Sequence, residues 1–153
     1  MKVKLLCKAA LALAAVGLFA SAASAAYKSE YKLSVVPGAS SGWGQTATFF
    51  ADCVRKKSNG RINIKPYFGA QLMAGKQTSE LLLVRRGAID FALASTINWS
   101  PQIKELNLTA LPFFIANNPD RYKALDAIEK GKSGKMLEQA IEKTGVKFIG
   151  WAE

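Results

Sequence analysis

The apolar and polar positions of the chain predict strands and helices in alternation. Apolar residues are concentrated in residues 31–36, which end at a Pro-Gly pair, and this pattern predicts a first strand. Apolar residues then recur every three or four positions from Trp43 to Val54, the spacing of the buried face of a helix. Ser40 and Ser41 are candidate N-caps of this helix, because a serine oxygen can accept a hydrogen bond from a free backbone N–H.

The alternation continues through the middle of the chain. Residues 61–67 alternate apolar and polar side chains, which predicts a second strand. A helix is predicted through residues 80–84, with Gly87 as its C-cap. Residues 88–94 are almost continuously apolar, as expected of a third strand that is covered on both faces of a parallel sheet.

The last third of the chain predicts two helices and a strand. Asn118 as cap, Pro119 at the first helical position and Asp120 in the first turn predict a helix start. Residues 133–144 predict a second helix and residues 146–151 a last strand. The buried stripe expected for the helix that starts near Asp120 consists of Tyr122, Leu125 and Ile128.

Strands that alternate with helices favour an α/β domain with a largely parallel sheet flanked by helices.

The first 25 residues have the pattern of a secretory signal peptide. Lysines near the N-terminus precede an apolar run, and Ala23-Ser24-Ala25 matches the small-residue cleavage signal. We therefore expect export and cleavage after Ala25, which leaves residues 26–153 as the mature chain. An uncleaved membrane anchor is the alternative, because residues 9–26 carry no charge.

The composition limits the chemistry that these elements could support. Half of the 153 residues are apolar, enough for the core of one domain, and there is no histidine. A Ser-His-Asp triad and a histidine metal site are therefore excluded within this chain, and no cofactor is expected. The formal net charge of +10 is compatible with nucleic acid, an anionic membrane surface or an anionic small ligand as the partner. The basic clusters at residues 55–57 and 85–86, however, are expected to complement helix dipoles.

Two polar clusters follow predicted strands, at the edge where ligands bind in open parallel sheets. Residues 38–42 connect the first strand to the first helix, and residues 95–99 follow the third strand. Hydroxyl and N–H groups at a helix N-terminus suit an anion, and an indole could stack on an organic ligand. The alternative is structural, with the serines and the asparagine as helix caps and Trp43 on the apolar stripe. The candidate binding residues of these clusters are Ser40, Ser41, Trp43, Ser95, Thr96, Asn98 and Trp99.

An enzymatic alternative comes from Gly38, Ser40 and Gly42, which match the G-x-S-x-G pattern of a hydrolase nucleophile elbow. A serine nucleophile needs a base. Without histidine the nearest substitutes are Lys28 and Lys32, and neither has an evident reason to lie buried beside the serine. We therefore do not expect an enzyme, and a hydrolase is the weakest alternative.

The remaining reactive side chains predict structural roles. Asp90 lies at the start of the third predicted strand, opposite the expected ligand edge, where we expect capping or ion pairing. Cys53 is expected to be buried and inert on an apolar helix face. No acid pair is placed for acid–base catalysis. The acids expected to be solvated on helices are Glu80, Asp120, Glu138 and Glu142.

Several short segments occur together in one order along the chain. They are Gly42-Trp43-Gly44, Ser58-Asn59-Gly60-Arg61-Ile62-Asn63-Ile64, Gly69-Ala70-Gln71-Leu72, Gly87-Ala88-Ile89-Asp90-Phe91-Ala92-Leu93-Ala94-Ser95-Thr96 and Leu111-Pro112-Phe113-Phe114. In this combination, after a signal peptide, the chain resembles the extracytoplasmic solute-binding proteins of TRAP transporters, the DctP-type receptors.

The resemblance implies a periplasmic binding protein-like (type II) fold, of which this chain would be one α/β lobe. It also implies a periplasmic, monomeric receptor that captures an organic acid, such as a C4-dicarboxylate, and delivers it to the small and large membrane subunits of a TRAP permease. No nucleic-acid partner is implied. The ligand-lining residues carried over are Ser40, Ser41, Ser95, Thr96 and Asn98, with Trp43, Gln77 and Trp99 as further candidates.

The chain departs from the family in one respect. Family members bind the substrate carboxylate with an arginine of a second lobe, a side chain suited to bidentate contacts. We expect residues 26–153 to be a first lobe, truncated at its C-terminal end, with the second lobe and its arginine absent. Residues 1–153 alone are then predicted to bind organic acids weakly or not at all. A non-binding remnant of such a receptor is the alternative.

Overall fold

A computed structural model of the chain describes residues 27–111 and 118–152. The predicted signal peptide and its cleavage site lie outside the described residues. So do residues 112–114, which belong to the last of the segments that carry the resemblance.

The sheet consists of parallel strands, and helical segments connect each strand to the next. Leu33 of the central strand lies opposite Pro66 on one side and Phe91 on the other, and both pairings are parallel. The strand order β2-β1-β3 confirms the predicted α/β class with a parallel sheet. The strands are β1 (Tyr31–Val35), β2 (Ile64–Tyr67) and β3 (Phe91–Leu93).

Helices make up most of the remaining regular structure. The first begins after Ser41, whose side chain caps it, and ends with Arg55, Lys56 and Lys57 in its last turn, where cations complement the helix dipole. None of the described helices combines the length and the hydrophobicity that crossing a bilayer requires. The helices are α1 (Gly42–Lys57), α2 (Glu80–Arg85), α3 (Thr96–Trp99), α4 (Arg121–Lys130) and α5 (Lys132–Glu142), with 3-10 segments at Gln71–Met73, Gln77–Ser79 and Lys104–Ala110.

Two apolar clusters cover the two faces of the sheet. In β3, Phe91 and Leu93 pack against the first cluster, whereas Ala92 packs against the second. This alternation follows from the period of two along a strand, so helices lie on both faces. Cluster one consists of Leu33, Val35, Ala47, Ala51 and Ile64. Cluster two consists of Leu81, Trp99, Ile103, Leu106, Leu137, Ala140 and Ile141.

The third strand is shorter and less buried than its sequence predicts. It comprises residues 91–93, and all three are half-buried, whereas residues 88–94 predicted a longer strand covered on both faces. Ile89 is buried although it precedes the strand. An apolar run can thus contribute to the core without extending the ladder, because strand length depends on hydrogen-bonding neighbours.

The start and the buried face of α4 differ from the prediction. Asp120, not Asn118, is the N-cap, and its carboxylate accepts a hydrogen bond from the backbone N–H of Lys123 at 2.9 Å. Asn118 Oδ1 instead accepts from the backbone N–H of Asp120 at 3.1 Å. The predicted buried stripe is present only in part: Leu125 and Ile128 are half-buried, whereas Tyr122 is 75% exposed, because an amphipathic pattern buries a residue only where another surface meets it.

Residues 146–151 do not form the predicted strand. They continue from α5 as irregular chain, although Val146, Phe148 and Trp151 pack against cluster two. Glu142 holds the start of this segment, because its carboxylate pairs with Lys147 at 2.5 Å. The apolar side chains were identified correctly, but a strand also requires a neighbouring strand to pair with.

Candidate functional site

The carboxyl ends of β1 and β3 bring the two predicted polar clusters to one edge of the sheet. β1 ends at Val35 and leads into residues 36–41, and β3 ends at Leu93 and leads into residues 94–95. Because the two strands are paired in parallel, their following segments leave the sheet on the same side. The fold therefore places both clusters where the sequence predicted them.

Within the first cluster, the Ser41 hydroxyl is engaged in the loop itself. It accepts a hydrogen bond from the Gly44 N–H at 3.0 Å and donates one to the Gly38 carbonyl at 2.6 Å. Ser40 is exposed, whereas Trp43 is half-buried and packs against cluster one. The capping interpretation is confirmed for Ser41, and contact of these side chains with a ligand stays a prediction.

Gly44 allows this loop to lie directly against the start of α1. A Cβ atom at Gly44 would lie 2.5 Å from the carbonyl oxygens of both Gly38 and Ala39. Such separations are shorter than any real Cβ contact, so the loop conformation depends on a glycine at this position.

The second cluster is joined to the segment that precedes α2. The Asn98 Nδ2 group donates a hydrogen bond to Gln77 Oε1 at 2.9 Å, which brings together two residues named from the sequence. The hydroxyl groups of Thr96 and Thr109 lie 2.9 Å apart, and Thr109 was not among the residues predicted from the sequence. Ser95 is the N-cap residue of α3, and its side chain makes no capping hydrogen bond.

Trp99 is a core residue of this structure. Its side chain belongs to cluster two and is 8% exposed. Its indole nitrogen donates a hydrogen bond to Glu80 Oε2 at 3.1 Å. The ring therefore packs within the fold, and contact of the ring with a ligand stays a prediction.

The prediction for Glu80 is wrong. It was expected to be solvated but is 0% exposed. Its carboxylate accepts hydrogen bonds from Ser34 Oγ at 2.5 Å and from Trp99 Nε1. Burial raises the pKa of Glu80 above the ordinary glutamate value, while these two hydrogen bonds oppose the rise. The sequence feature that could have indicated this burial is a serine within an apolar strand, Ser34, together with an acid in the first turn of an apolar helix.

Replacing Glu80 with glutamine should change how stability depends on pH. The folded-state pKa lies above the unfolded value of 4.5, so the folded state binds more protons and its stability falls as pH rises through that window. Glu80→Gln removes this titration, so the variant should gain stability relative to wild type from about pH 4.5 upward. Urea unfolding between pH 4 and pH 8 measures the difference, and a difference that shrinks with rising pH would contradict the assignment.

The other acids and the thiol are accounted for by structural contacts. Asp90 forms an ion pair with Lys28 and accepts a hydrogen bond from the Lys32 N–H at 2.9 Å, so its predicted pairing role is confirmed. Cys53 is half-buried, so the expectation of full burial is wrong. Of the other acids expected to be solvated, Asp120 is exposed, whereas Glu138 and Glu142 are half-buried.

Two further observations on the described residues concern metal binding and surface grooves. No group of acidic and sulfur ligands among them is arranged to hold a metal ion. A shallow groove of about 350 Å³ runs between α1 and β2, but no predicted site residue lines it. Its lining residues are Thr48, Ala51, Asp52, Arg55, Asn63, Ile64, Lys65, Pro66 and Phe68.

Comparison with known proteins gives a consistent match. The profile of the bacterial extracellular solute-binding proteins, family 7 (DctP), matches residues 33–153. A solute-binding protein of Chromohalobacter salexigens is 29% identical over 108 residues. The C4-dicarboxylate-binding periplasmic protein DctP of Rhodobacter capsulatus is 27% identical over 104 residues.

A solved structure gives a higher identity. The TRAP periplasmic solute-binding protein of Ralstonia eutropha H16, with (S)-2-acetolactate bound, is 53% identical and superposes with a TM-score of 0.73. The match covers 79% of this chain and 37% of that protein. In the two sequence relatives, the matches cover 71% and 67% of this chain but only 30% and 29% of the relatives. The chain thus spans about a third of the length of these proteins.

Proposed function

The chain belongs to the bacterial extracellular solute-binding proteins of family 7, and on that premise we propose that it forms the first lobe of a TRAP-type receptor. In this proposal the receptor captures an organic acid outside the cytoplasm and delivers it to the small and large membrane subunits of a permease. The proposal includes the signal peptide of residues 1–25, its removal after Ala25 and a periplasmic location.

The proposal rests mainly on the similarity to the R. eutropha protein, which is 53% identical to this chain and was solved with (S)-2-acetolactate, (S)-2-hydroxy-2-methyl-3-oxobutanoate, bound. That ligand combines a carboxylate with a hydroxyl and a keto oxygen, so its recognition requires several hydrogen-bond donors. The edge formed by β1 and β3 offers hydroxyl and amide groups at Ser40, Ser95, Thr96 and Asn98. We propose that the ligand of the receptor is a small carboxylate, either a C4-dicarboxylate or a related hydroxy or keto acid.

The proposed site is completed by a second lobe. Neutral donors alone leave the carboxylate charge without a cationic partner, and a bidentate arginine is the side chain best suited to it. Among the described residues, Arg55 and Arg85 lie in the last turns of helices and not at the ligand edge. We therefore propose that the 153-residue chain alone binds organic acids weakly or not at all, and that tight binding requires the full-length receptor.

Calorimetric titration of the full-length receptor with acetolactate, succinate and related acids tests this function. We expect one of these acids to bind, and Ser95→Ala to weaken binding about tenfold or more, since a hydrogen bond to a charged ligand contributes about 1.5–3 kcal/mol. Ser29→Ala is the matched control, because Ser29 is exposed and precedes the amino end of β1. A full-length protein that binds no organic acid would overturn the proposal, and equal losses in both variants would remove Ser95 from the site.

A further inference from the structure

A buried carboxylate lies behind the candidate site and connects its two halves. Glu80 opens α2 and is fully buried between β1 and α3. One carboxylate oxygen accepts from Ser34 of β1, and the other accepts from the indole of Trp99, the last residue of α3. β1 leads into the first polar cluster, and α3 contains most of the second. The Glu80 side chain is therefore hydrogen-bonded to the elements that carry both clusters.

Three side-chain hydrogen bonds join the segment around Glu80 to the segment around Trp99. Besides the Trp99–Glu80 bond, Asn98 donates to Gln77 at 2.9 Å and Gln102 Nε2 donates to the Thr78 carbonyl at 2.7 Å. The Asn98 and Gln102 bonds are exposed, whereas the Trp99–Glu80 bond is buried. A buried hydrogen bond to a charged group is stronger than an exposed neutral one, so the Glu80 contact dominates this connection.

Packing alone does not explain a carboxylate at this position. Burial and the two hydrogen bonds are what shifts the pKa of Glu80, and no cationic side chain among the described residues offsets its negative charge. A leucine would fill similar space without desolvation of a charge, but it would leave the buried Ser34 hydroxyl and Trp99 indole N–H without this acceptor. What the carboxylate adds is direction, because its two oxygens orient the Ser34 hydroxyl and the Trp99 indole at once.

We propose that Glu80 is a positioning residue of the ligand site, whose buried carboxylate orients Trp99 and thereby holds residues 95–98 in place relative to β1 and the loop that follows it. This inference rests on the proposed function, because it assigns Glu80 a part in ligand affinity. It assigns no ligand contact to Glu80 itself, since that side chain has no exposed surface.

The test compares Glu80→Leu, Glu80→Gln and Trp99→Phe in the full-length protein, with the acid that binds wild type as the probe. We expect Glu80→Leu to weaken affinity about tenfold, the scale on which loss of an orienting partner weakens a site. Glu80→Gln should recover most of this loss, because its amide can accept from the indole and donate to Ser34. Trp99→Phe should weaken binding as much as Glu80→Leu does. The double variant should bind no more weakly than either single variant, because both substitutions remove the same Trp99–Glu80 hydrogen bond.

A matched control separates positioning from general loss of stability. Ile64→Ala removes buried side-chain volume from cluster one at the amino end of β2, away from the ligand edge, and should leave affinity within about twofold while it lowers stability. Wild-type affinity in Glu80→Leu, or an equal loss of affinity in Ile64→Ala, would overturn the positioning role.

A second readout is independent of the ligand. The indole N–H resonance of Trp99, identified by its loss in Trp99→Phe, should shift and exchange faster in Glu80→Leu than in wild type. An unchanged resonance would also overturn the inference. A wild-type protein that binds no acid would overturn the proposed function, whereas binding that is indifferent to Glu80 would overturn the positioning role alone.

Discussion

Leu81→Ala should destabilise the protein by about 3 kcal/mol, the middle of the range for a leucine removed from a packed core. Leu81 is 0% exposed and lies in cluster two, which joins α2 to α3 and α5. Truncation would leave a cavity within cluster two, because core side chains relax only partly into such a space. Urea unfolding monitored by far-UV circular dichroism measures the change.

The neighbouring leucine is the control for this substitution. Leu82 lies in the same helix but is 36% exposed, so Leu82→Ala should cost about 1 kcal/mol or less. The pair has the same chemistry and the same helix propensity, so the difference between the variants isolates burial. Equal losses in the two variants would show that α2 packs on a different face from the one described.

Gly44→Ala should disturb both stability and ligand binding. The new methyl group would lie 2.5 Å from two backbone carbonyl oxygens, those of Gly38 and Ala39. Backbone atoms cannot turn away as a flexible side chain can, so the loop must move as a whole, at a cost of about 2 kcal/mol. Because this loop forms the first polar cluster, calorimetry on the full-length protein should also show weaker organic-acid binding.

Gly42→Ala provides a control with the opposite expected sign. A Cβ atom at Gly42 meets nothing within 4 Å, and its backbone is not left-handed. Alanine there should stabilise the helix by about 0.4–1 kcal/mol through a smaller entropy loss on folding. If Gly44→Ala were as stable as Gly42→Ala, the loop would not lie against the helix start as described.

The fold was predictable from the sequence where local pattern and tertiary packing agree. The predicted first strand and the helix after Ser41 are present as β1 and α1 (Gly42–Lys57), because a serine cap, helical spacing and a basic last turn all favour the same boundaries. The exposure of Tyr122 on α4 and the absence of a strand at residues 146–151 were not predicted. Both depend on partners that a single segment does not contain, a covering surface in one case and a neighbouring strand in the other.

The candidate site was predictable to the level of its loops. A predicted parallel sheet and the serine- and threonine-rich segments after two of its strands were sufficient to place both polar clusters at carboxyl ends, and the strand order β2-β1-β3 makes those strands neighbours. The role of each side chain was not predictable, because a serine that caps a helix and a serine that contacts a ligand can have the same local sequence. Ser41 caps α1 through its own loop, and Trp99 packs within cluster two.

The sequence by itself determined the class of the fold, the family and the position of the two polar clusters at the carboxyl ends of the strands. These depend on periodicity and on short motifs, which are properties of neighbouring residues along the chain. Only the tertiary structure decided that Glu80 is buried and joined to Ser34 and Trp99, residues 46 and 19 positions away. Burial of a charge is decided by what distant segments pack around it, and no local pattern contains that information.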